Sequence, residues 1–150
     1  MTIKLLRAIE TYPVRLAVLR KGRTINDCAF PGDDLTSTFH LGAHHDEELV
    51  AVATFLIQKD NQIEQLKNAD SSHCYQLRGM AVLDSVQGKH VGSDLLLHGE
   101  QLLRERGCSH VWFNAREGAV PFYKKQGYQI VSDIFEIVPV GMHYKMYKAL

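Results

Sequence analysis

The chain has 150 residues, 45% of them hydrophobic and 23% charged, a composition that fits one globular domain with its own core. Its formal net charge is zero, so it lacks the broad positive field that binding to a phosphate backbone usually requires. We therefore expect a single domain over residues 1–150 and no nucleic-acid partner.

The first residues and the cysteines bear on where the protein works. Residues 1–22 mix charged with apolar side chains, which breaks up any signal-peptide core. The longest apolar run, residues 49–57, is too short to cross a bilayer as a helix. The three cysteines are widely spaced and form no CxxC pair, so neither a disulfide framework nor a cysteine zinc site is indicated. We expect a cytoplasmic protein with no membrane partner.

Strand patterns dominate the first half of the chain. Residues 3–9 are predicted to form a strand, and residues 12–19 form a short helix with a proline in its first turn. A loop rich in turn residues follows over residues 22–35. Two strand-like runs, TSTFHLGA and ELVAVATFLI, are separated by the polar HHDE, which indicates a hairpin although no glycine stands at the turn.

The second half alternates strands with helices. After a polar segment we predict strands over residues 75–83, 110–114, 128–135 and 143–148, a helix from near Ser93 to a stop at Gly107, and a helix over residues 119–126. The order of elements predicts a mixed α/β sheet with helices on both of its faces.

The segment QGKHVGS, residues 87–93, joins a predicted strand to the start of a predicted helix. The first amides of a helix lack intrahelical partners and lie at the positive end of its dipole, so such a loop can bind an anion, and pyrophosphate is the natural ligand. Gly88 and Gly92 let the backbone come close, and Lys89 adds charge. The same letters also fit a tight turn with no ligand. Neither GxxxxGK[ST] nor GxGxxG occurs here.

Two signatures resemble those of the GNAT superfamily, the N-acetyltransferases that use acetyl-CoA. QGKHVG is similar to its (Q/R)xxGx(G/A) loop, with His90 where the first glycine usually stands, and NAREGAVPFYKKQGY is similar to its helix with an FY pair. The stretches VLRKG, FPGDD, FHLGA and FEIVPVGMHYKM are similar to a less characterised branch. The resemblance implies a mixed, mostly antiparallel central sheet with a splayed parallel strand pair and helices on both faces.

The resemblance also implies that acetyl-CoA is the co-substrate, with its pantetheine lying like an added strand along the splayed pair. Backbone groups of the first strand would then bond the pantetheine amides and the acetyl carbonyl, and one amide would stabilise the charge that develops on the thioester oxygen. The implied cofactor-binding residues are Met80, Ala81, Val82, Gln87, Gly88, Lys89, His90, Val91, Gly92, Ser93, Asn114, Phe122 and Tyr123. A histidine at position 90 requires either a negative φ or some strain.

Tyr123 is the implied general acid, because the family places this hydroxyl near the sulfur of CoA, where it can protonate the departing thiolate. A protonated amine cannot attack, so a base or a water chain must take its proton, and His143 is the candidate. Arg78 and Glu136 are expected to bind a carboxylate or an amine of the acceptor. Each of these four side chains also fits a purely structural role in the core or in an ion pair.

The leading hypothesis is an N-acetyltransferase that moves an acetyl group from acetyl-CoA to a primary amine of a small molecule or peptide, by direct attack in a ternary complex. The alternative is a non-catalytic acyl-CoA binding or sensing domain. Residues 44–48, HHDEE, resemble a metal cluster in composition, but consecutive residues in a turn cannot converge on one ion, so no metal is expected. Exposed strand edges are compatible with a homodimer.

Overall fold

Eight strands and three α-helices follow one another along the chain, which a computed structural model describes from Met1 to Leu150. The strands are β1 (Thr2–Leu6), β2 (Phe39–His45), β3 (Glu48–Ile57), β4 (Cys74–Val82), β5 (His110–Arg116), β6 (Gln129–Ile130), β7 (Phe135–Ile137) and β8 (Gly141–Ala149). The α-helices are α1 (Tyr12–Leu19), α2 (Val91–Glu105) and α3 (Val120–Lys125). None of the helices is both long enough and apolar enough to cross a membrane.

The strands form one mixed sheet in the order β1, β2, β3, β4, β5, β8, β6, and β7 also pairs with β8. Pairs β1–β2, β2–β3, β5–β8, β6–β8 and β7–β8 are antiparallel. Strands β4 and β5 are parallel, and their pairing covers the first three residues of each, 74–76 with 110–112. The predicted fold class, a mostly antiparallel sheet with one short parallel pair, is confirmed.

Several element bounds match the predictions closely. Helix α1 and strand β3 begin and end at the predicted residues, and β2 and β3 form the predicted hairpin. Its two-residue turn places Asp46 and Glu47 at φ of 49° and 68°, the left-handed conformation that a tight hairpin demands at both positions. The hairpin therefore forms without the glycine that usually supplies this conformation.

The prediction of one strand over residues 128–135 is wrong, because two short strands, β6 and β7, occupy this region. Opposite the gap between them, the backbone N–H of Lys145 donates to the Ser132 side-chain oxygen at 2.8 Å. A side chain thus replaces the backbone acceptor that would continue the ladder. The strand predicted over residues 3–9 ends at Leu6, where the Arg7 N–H donates to the Glu10 carboxylate at 3.0 Å and begins a 3-10 helix.

The chain divides into two compact units, unit 1 (Met1–Leu56 with Leu77–Leu102) and unit 2 (Ile57–Gln76 with Leu103–Leu150). Our assignment of residues 1–150 to one domain stays a prediction. In unit 1, a Cβ on Gly99 of α2 would lie 2.3 Å from the Phe55 ring of β3, so the helix depends on a glycine for its close approach to the strand. In unit 2, the core contains Trp112, whose indole N–H donates to the Gln58 carbonyl at 2.7 Å.

Candidate functional site

The loop from β4 to α2 lies within unit 1 and is folded back on itself. The Gln87 side-chain amide donates to the Val82 carbonyl at 3.3 Å and to the Asp84 carboxylate at 3.1 Å. Gly88 then adopts φ of 77°. Because these bonds and this conformation reverse the chain, the loop leads directly into the first turn of α2, which begins at Val91, two residues before the predicted start.

The first turn of α2 supplies amides without acceptors inside the helix. The His90 carbonyl accepts from the Asp94 N–H at 3.0 Å and from the Ser93 hydroxyl at 3.0 Å. Since this is the first bond of the helix, the N–H groups of Val91, Gly92 and Ser93 have no helical carbonyl to bind. These three amides lie at the positive end of the helix dipole, as an anion site requires.

The backbone of His90 adopts a strained, left-handed conformation. Its φ is 64°, in the left-handed region that costs an L-residue about 1 kcal/mol. Its imidazole and the Lys89 side chain are exposed. A histidine therefore adopts here the left-handed conformation that glycine adopts without strain.

The second half of β4 holds the backbone groups expected to bind acetyl-CoA. Ala81 is buried against Val14 and Val52, so Met80 and Val82, which alternate with it and are half-buried, belong to the opposite face of the strand. Gly79, just before them, has φ of 63°, and a Cβ there would lie 3.2 Å from the Arg15 Nε and from the Phe30 ring. A glycine at this position avoids both the strain of the left-handed conformation and the tight contacts that a Cβ would make.

A buried polar network beside β4 was not predicted from the sequence. Arg15 of α1 is fully buried and donates to the Asp33 carboxylate at 2.6 and 3.1 Å, to the Cys28 carbonyl at 2.8 Å and to the Thr54 hydroxyl at 2.8 Å. His40 Nε2 lies 2.9 Å from the Asp33 carbonyl and therefore donates to it. In the neutral ring, Nδ1 then accepts from the Thr54 hydroxyl at 2.7 Å.

One feature of the sequence pointed to this network, namely an arginine among the apolar residues of the amphipathic helix α1. Burial raises the pKa of Asp33, but the hydrogen bonds from Arg15 and from the Phe30 N–H, together with the Arg15 charge, outweigh it and hold this pKa below its usual range. Asp33 is thus a structural carboxylate, ionised and already paired.

Arg78, the residue expected to bind the acceptor, stands next to this network in unit 1. It is half-buried, and its Nη2 donates to the Pro31 carbonyl at 2.7 Å. Its Nε is buried without a partner. Burial lowers the pKa of Arg78, and the nearby charges of Asp33 and Arg15 act on it in opposite directions.

Tyr123 lies in unit 2, enclosed by aromatic rings. The centroid of its ring is 4.3 Å from that of Phe113, 5.0 Å from that of Phe122 and 6.1 Å from that of Tyr128. Burial raises the pKa of its hydroxyl well above the usual value. The hydroxyl therefore stays protonated at neutral pH, as a proton donor must. Packing alone holds this side chain, because the structure shows no hydrogen bond from it.

The other residues expected in unit 2 are placed on β5, β7 and β8. Asn114 of β5 is exposed, between the buried Phe113 and Ala115. His143 of β8 is buried; its Nδ1 lies 2.7 Å from the Gly141 carbonyl and its ring stacks on Phe135 at 6.0 Å.

The bond from His143 to the carbonyl decides which of its ring nitrogens can act as a base. A carbonyl only accepts, so Nδ1 carries the hydrogen, and in the neutral ring Nε2 is the atom able to take a proton.

Glu136 of β7 is exposed, so its carboxylate is open to solvent and available to a ligand.

Comparison with known proteins gives one consistent result. The model of the "Acetyltransferase (GNAT) family" matches residues 8–128. YitI of Bacillus subtilis (strain 168), an uncharacterized N-acetyltransferase, is 33% identical over 148 residues, which are 99% of this chain and 95% of that protein.

Solved structures agree on the fold. The ribosomal-protein-S18-alanine N-acetyltransferase from Escherichia coli superposes with a TM-score of 0.75 at 16% identity, covering 99% of this chain and 92% of that chain. An aminoglycoside 6'-N-acetyltransferase complexed with coenzyme A gives a TM-score of 0.76 at 13% identity, covering 99% of this chain and 97% of that chain. At these identities the likeness concerns the fold alone.

Proposed function

Because the chain belongs to the GNAT family of acetyltransferases, we propose that it transfers an acetyl group from acetyl-CoA to a primary amine, by direct attack of the amine in a ternary complex. The observation that carries the proposal is the loop from β4 to α2. It presents the amides of Val91, Gly92 and Ser93, which have no acceptor inside the helix, directly after a glycine and a histidine with left-handed backbone.

In this proposal the residues of unit 1 hold the co-substrate. The amides at the start of α2 bind its pyrophosphate, with the Gln87–Asp84 bond fixing the loop and Lys89 adding a positive charge. Backbone groups of Met80, Ala81 and Val82 bind the pantetheine and the acetyl carbonyl. An N–H that points at this carbonyl stabilises the negative charge that develops on its oxygen as the amine attacks.

Tyr123 and His143 are the proposed proton-transfer residues. The amine nitrogen bonds to the acetyl carbon, the carbon–sulfur bond breaks, and the Tyr123 hydroxyl donates its proton to the departing thiolate. Nε2 of His143 takes the proton that the amine loses, and Asn114 and Phe122 contact the pantetheine. Arg78 and Glu136 bind the polar groups of the acceptor.

Direct attack is favoured over a route through an acetylated cysteine. Burial raises the pKa of all three thiols, those of Cys28, Cys74 and Cys108. A thiol with a raised pKa is a poor nucleophile, because the thiolate is the attacking species.

The test has two parts. Acetyl-CoA at millimolar concentration is expected to raise the melting temperature of the protein. A ligand that binds only the folded state stabilises it by about 2.7 kcal/mol when the ligand concentration is a hundred times its Kd. A panel of amines is then screened for release of free CoA.

Lys89→Ala is expected to weaken acetyl-CoA binding a few-fold, whereas substitution of Lys21, an exposed lysine of the same unit, by alanine leaves it unchanged. Absence of any thermal shift with acetyl-CoA would overturn the proposal.

A further inference from the structure

We propose that the acceptor is an amino acid, whose carboxylate binds the guanidinium of Arg78 while its amine is acetylated. This inference rests on the function proposed above and names the class of acceptor. It depends on the charges around Arg78, on the rigidity of the loop that contacts it, and on its place along β4.

The positive charge of Arg78 lacks a negative partner. The only protein group bonded to its guanidinium is the neutral Pro31 carbonyl, and its Nε is buried and unpaired. Taking a charge out of water is unfavourable unless an opposite charge compensates it. A ligand carboxylate would provide that compensation, and its two oxygens match the planar fork of a guanidinium.

The carboxylate whose charge acts on Arg78 is that of Asp33, and other groups are already bonded to it. Asp33 is bound by both terminal nitrogens of Arg15, at 2.6 and 3.1 Å, and it also accepts from the Phe30 N–H at 2.9 Å. Both guanidiniums thus lie within the influence of one carboxylate, but only Arg15 is bonded to it, so the charge of Arg78 has no bonded negative partner. His40, which also faces Asp33, bonds to its backbone carbonyl rather than to its carboxylate. The cluster therefore favours an anionic ligand over a cationic one.

The loop that contacts Arg78 is held firmly. Asp33 is fixed by Arg15, the Phe30 ring lies 4.1 Å from the Arg15 guanidinium, and the Thr38 hydroxyl donates to the Gly32 carbonyl at 2.7 Å. A Cβ on Gly32 would lie 2.8 Å from the Leu56 side chain and 3.5 Å from the Arg78 Nη2. Because this loop is rigid, it orients the guanidinium before any ligand arrives, which reduces the entropy lost on binding.

The position of Arg78 limits the size of the acceptor. It precedes Met80 by two residues on β4, so the two Cα atoms are at most about 7 Å apart, the fully extended value, because Gly79 between them has φ of 63°. The proposed seat of the acetyl carbonyl is the backbone from Met80 to Val82. An acceptor that reaches both has its amine and its carboxylate a few bonds apart, as in a free amino acid. An interior lysine of a protein would not present a carboxylate at this distance.

The experiment compares matched acceptors. Free amino acids and their carboxamides, such as alanine and alaninamide across a panel of side chains, carry the same amine with and without the negative charge. For at least one side chain the acid is expected to have a kcat/KM at least about tenfold above that of the amide, as one charge-assisted bidentate contact provides. In Arg78→Gln this preference disappears through a higher KM for the acid, while the KM for acetyl-CoA is unchanged.

Arg78→Lys separates recognition from structural support. The lysine keeps the charge and can still donate to Pro31, but it lacks the fork, so an intermediate preference is expected. Arg23→Gln, which removes an exposed guanidinium of the same unit, keeps the full preference. Equal use of acids and amides by the native protein would overturn the inference and leave the acetyltransferase proposal intact.

A binding measurement keeps the inference testable without turnover. In the presence of CoA, N-acetylalanine is expected to raise the melting temperature of the native protein, whereas N-acetylalaninamide is not. Arg78→Gln should abolish this difference. If the panel of N-acetyl amino acids gives no shift beyond that of their amides, the carboxylate site is refuted whatever the result of the turnover assays.

Discussion

The buried network around Arg15 in unit 1 and the ring cluster around Tyr123 in unit 2 fix their central side chains in opposite ways. Arg15 is held by hydrogen bonds to a carboxylate, a carbonyl and a hydroxyl. Tyr123 is held by three aromatic rings, with no hydrogen bond to its hydroxyl. The Tyr123 hydroxyl therefore contributes little to the stability of the fold, whereas the charged groups of the Arg15 network contribute to it directly. Substitutions in the Arg15 network should therefore lower stability, whereas loss of the Tyr123 hydroxyl should lower activity and leave stability nearly unchanged.

The strongest test of this contrast is Arg15→Met. It leaves the Asp33 carboxylate buried without its partner, and we expect the free energy of unfolding to fall by about 3–5 kcal/mol, the usual effect of breaking a buried ion pair. Urea unfolding measures this loss. The matched control Arg23→Gln, in the exposed pair with Asp27, should leave the free energy of unfolding nearly unchanged, because solvent screens an exposed ion pair.

A double variant shows whether the buried charge is the cause. Adding Asp33→Asn to Arg15→Met removes the orphaned carboxylate, so the double variant should be more stable than Arg15→Met alone. Equal or lower stability of the double variant would show that packing of the long arginine side chain, rather than charge pairing, holds this part of unit 1.

Tyr123→Phe tests the other side of the contrast. Removal of the hydroxyl takes away the proposed proton donor, and turnover should fall about a hundredfold or more. The stability should change by less than about 1 kcal/mol, because the rings still pack and no hydrogen bond is lost. CoA release and urea unfolding measure the two effects, and acetyl-CoA affinity should stay the same. A variant with full turnover would remove Tyr123 from the proposed mechanism.

The sequence predicts those parts of the structure that depend on local signals. Strand β3 and helix α1 were placed correctly because apolar spacing and a proline at a helix start are local signals. The loop between β4 and α2 is also predicted from a local signal, its glycines, although α2 begins at Val91, two residues before the predicted start. The resemblance of two short signatures to those of the GNAT superfamily implies a mostly antiparallel mixed sheet with one splayed parallel pair, which the structure confirms.

The Arg15 network was missed because its members are far apart in sequence. Arg15, Asp33, His40 and Thr54 come from a helix, a loop and two strands, and only the pairing of His40 with Thr54 across β2 and β3 brings the last two together. The arginine among the apolar residues of α1 indicates a buried charge, but nothing in the sequence identifies its partners. The break between β6 and β7 was missed for a related reason, since it depends on a bond from Lys145 to Ser132, thirteen positions away.

Acid should weaken unit 1 through Asp33. Its folded-state pKa is depressed, so its stabilising contribution is present above the unfolded pKa of about 3.9 and is lost as the pH falls through the lower, folded value. We expect native protein and Asp33→Asn to differ most in urea midpoint near neutral pH and to converge below about pH 4. Other acids titrate equally in both proteins and cancel in the difference. A gap that stays constant from pH 7 to about pH 3 would contradict the charged pairing.

The smallest expected effect concerns the loop from β4 to α2, where a histidine occupies a left-handed position. His90→Gly relieves the strain of φ of 64° and should raise the free energy of unfolding by up to about 1 kcal/mol. The same substitution at His98, exposed in the interior of α2, should lower it by about 0.5–1 kcal/mol, because glycine is a poor helix former. Acetyl-CoA affinity of His90→Gly should stay within a few-fold of the native value, since in the proposed site the backbone amides bind the phosphates in either case. A much larger loss of affinity would mean that the imidazole itself contacts the co-substrate. A side chain of unit 1 would then bind the ligand directly, as the Arg15 side chain binds the Asp33 carboxylate.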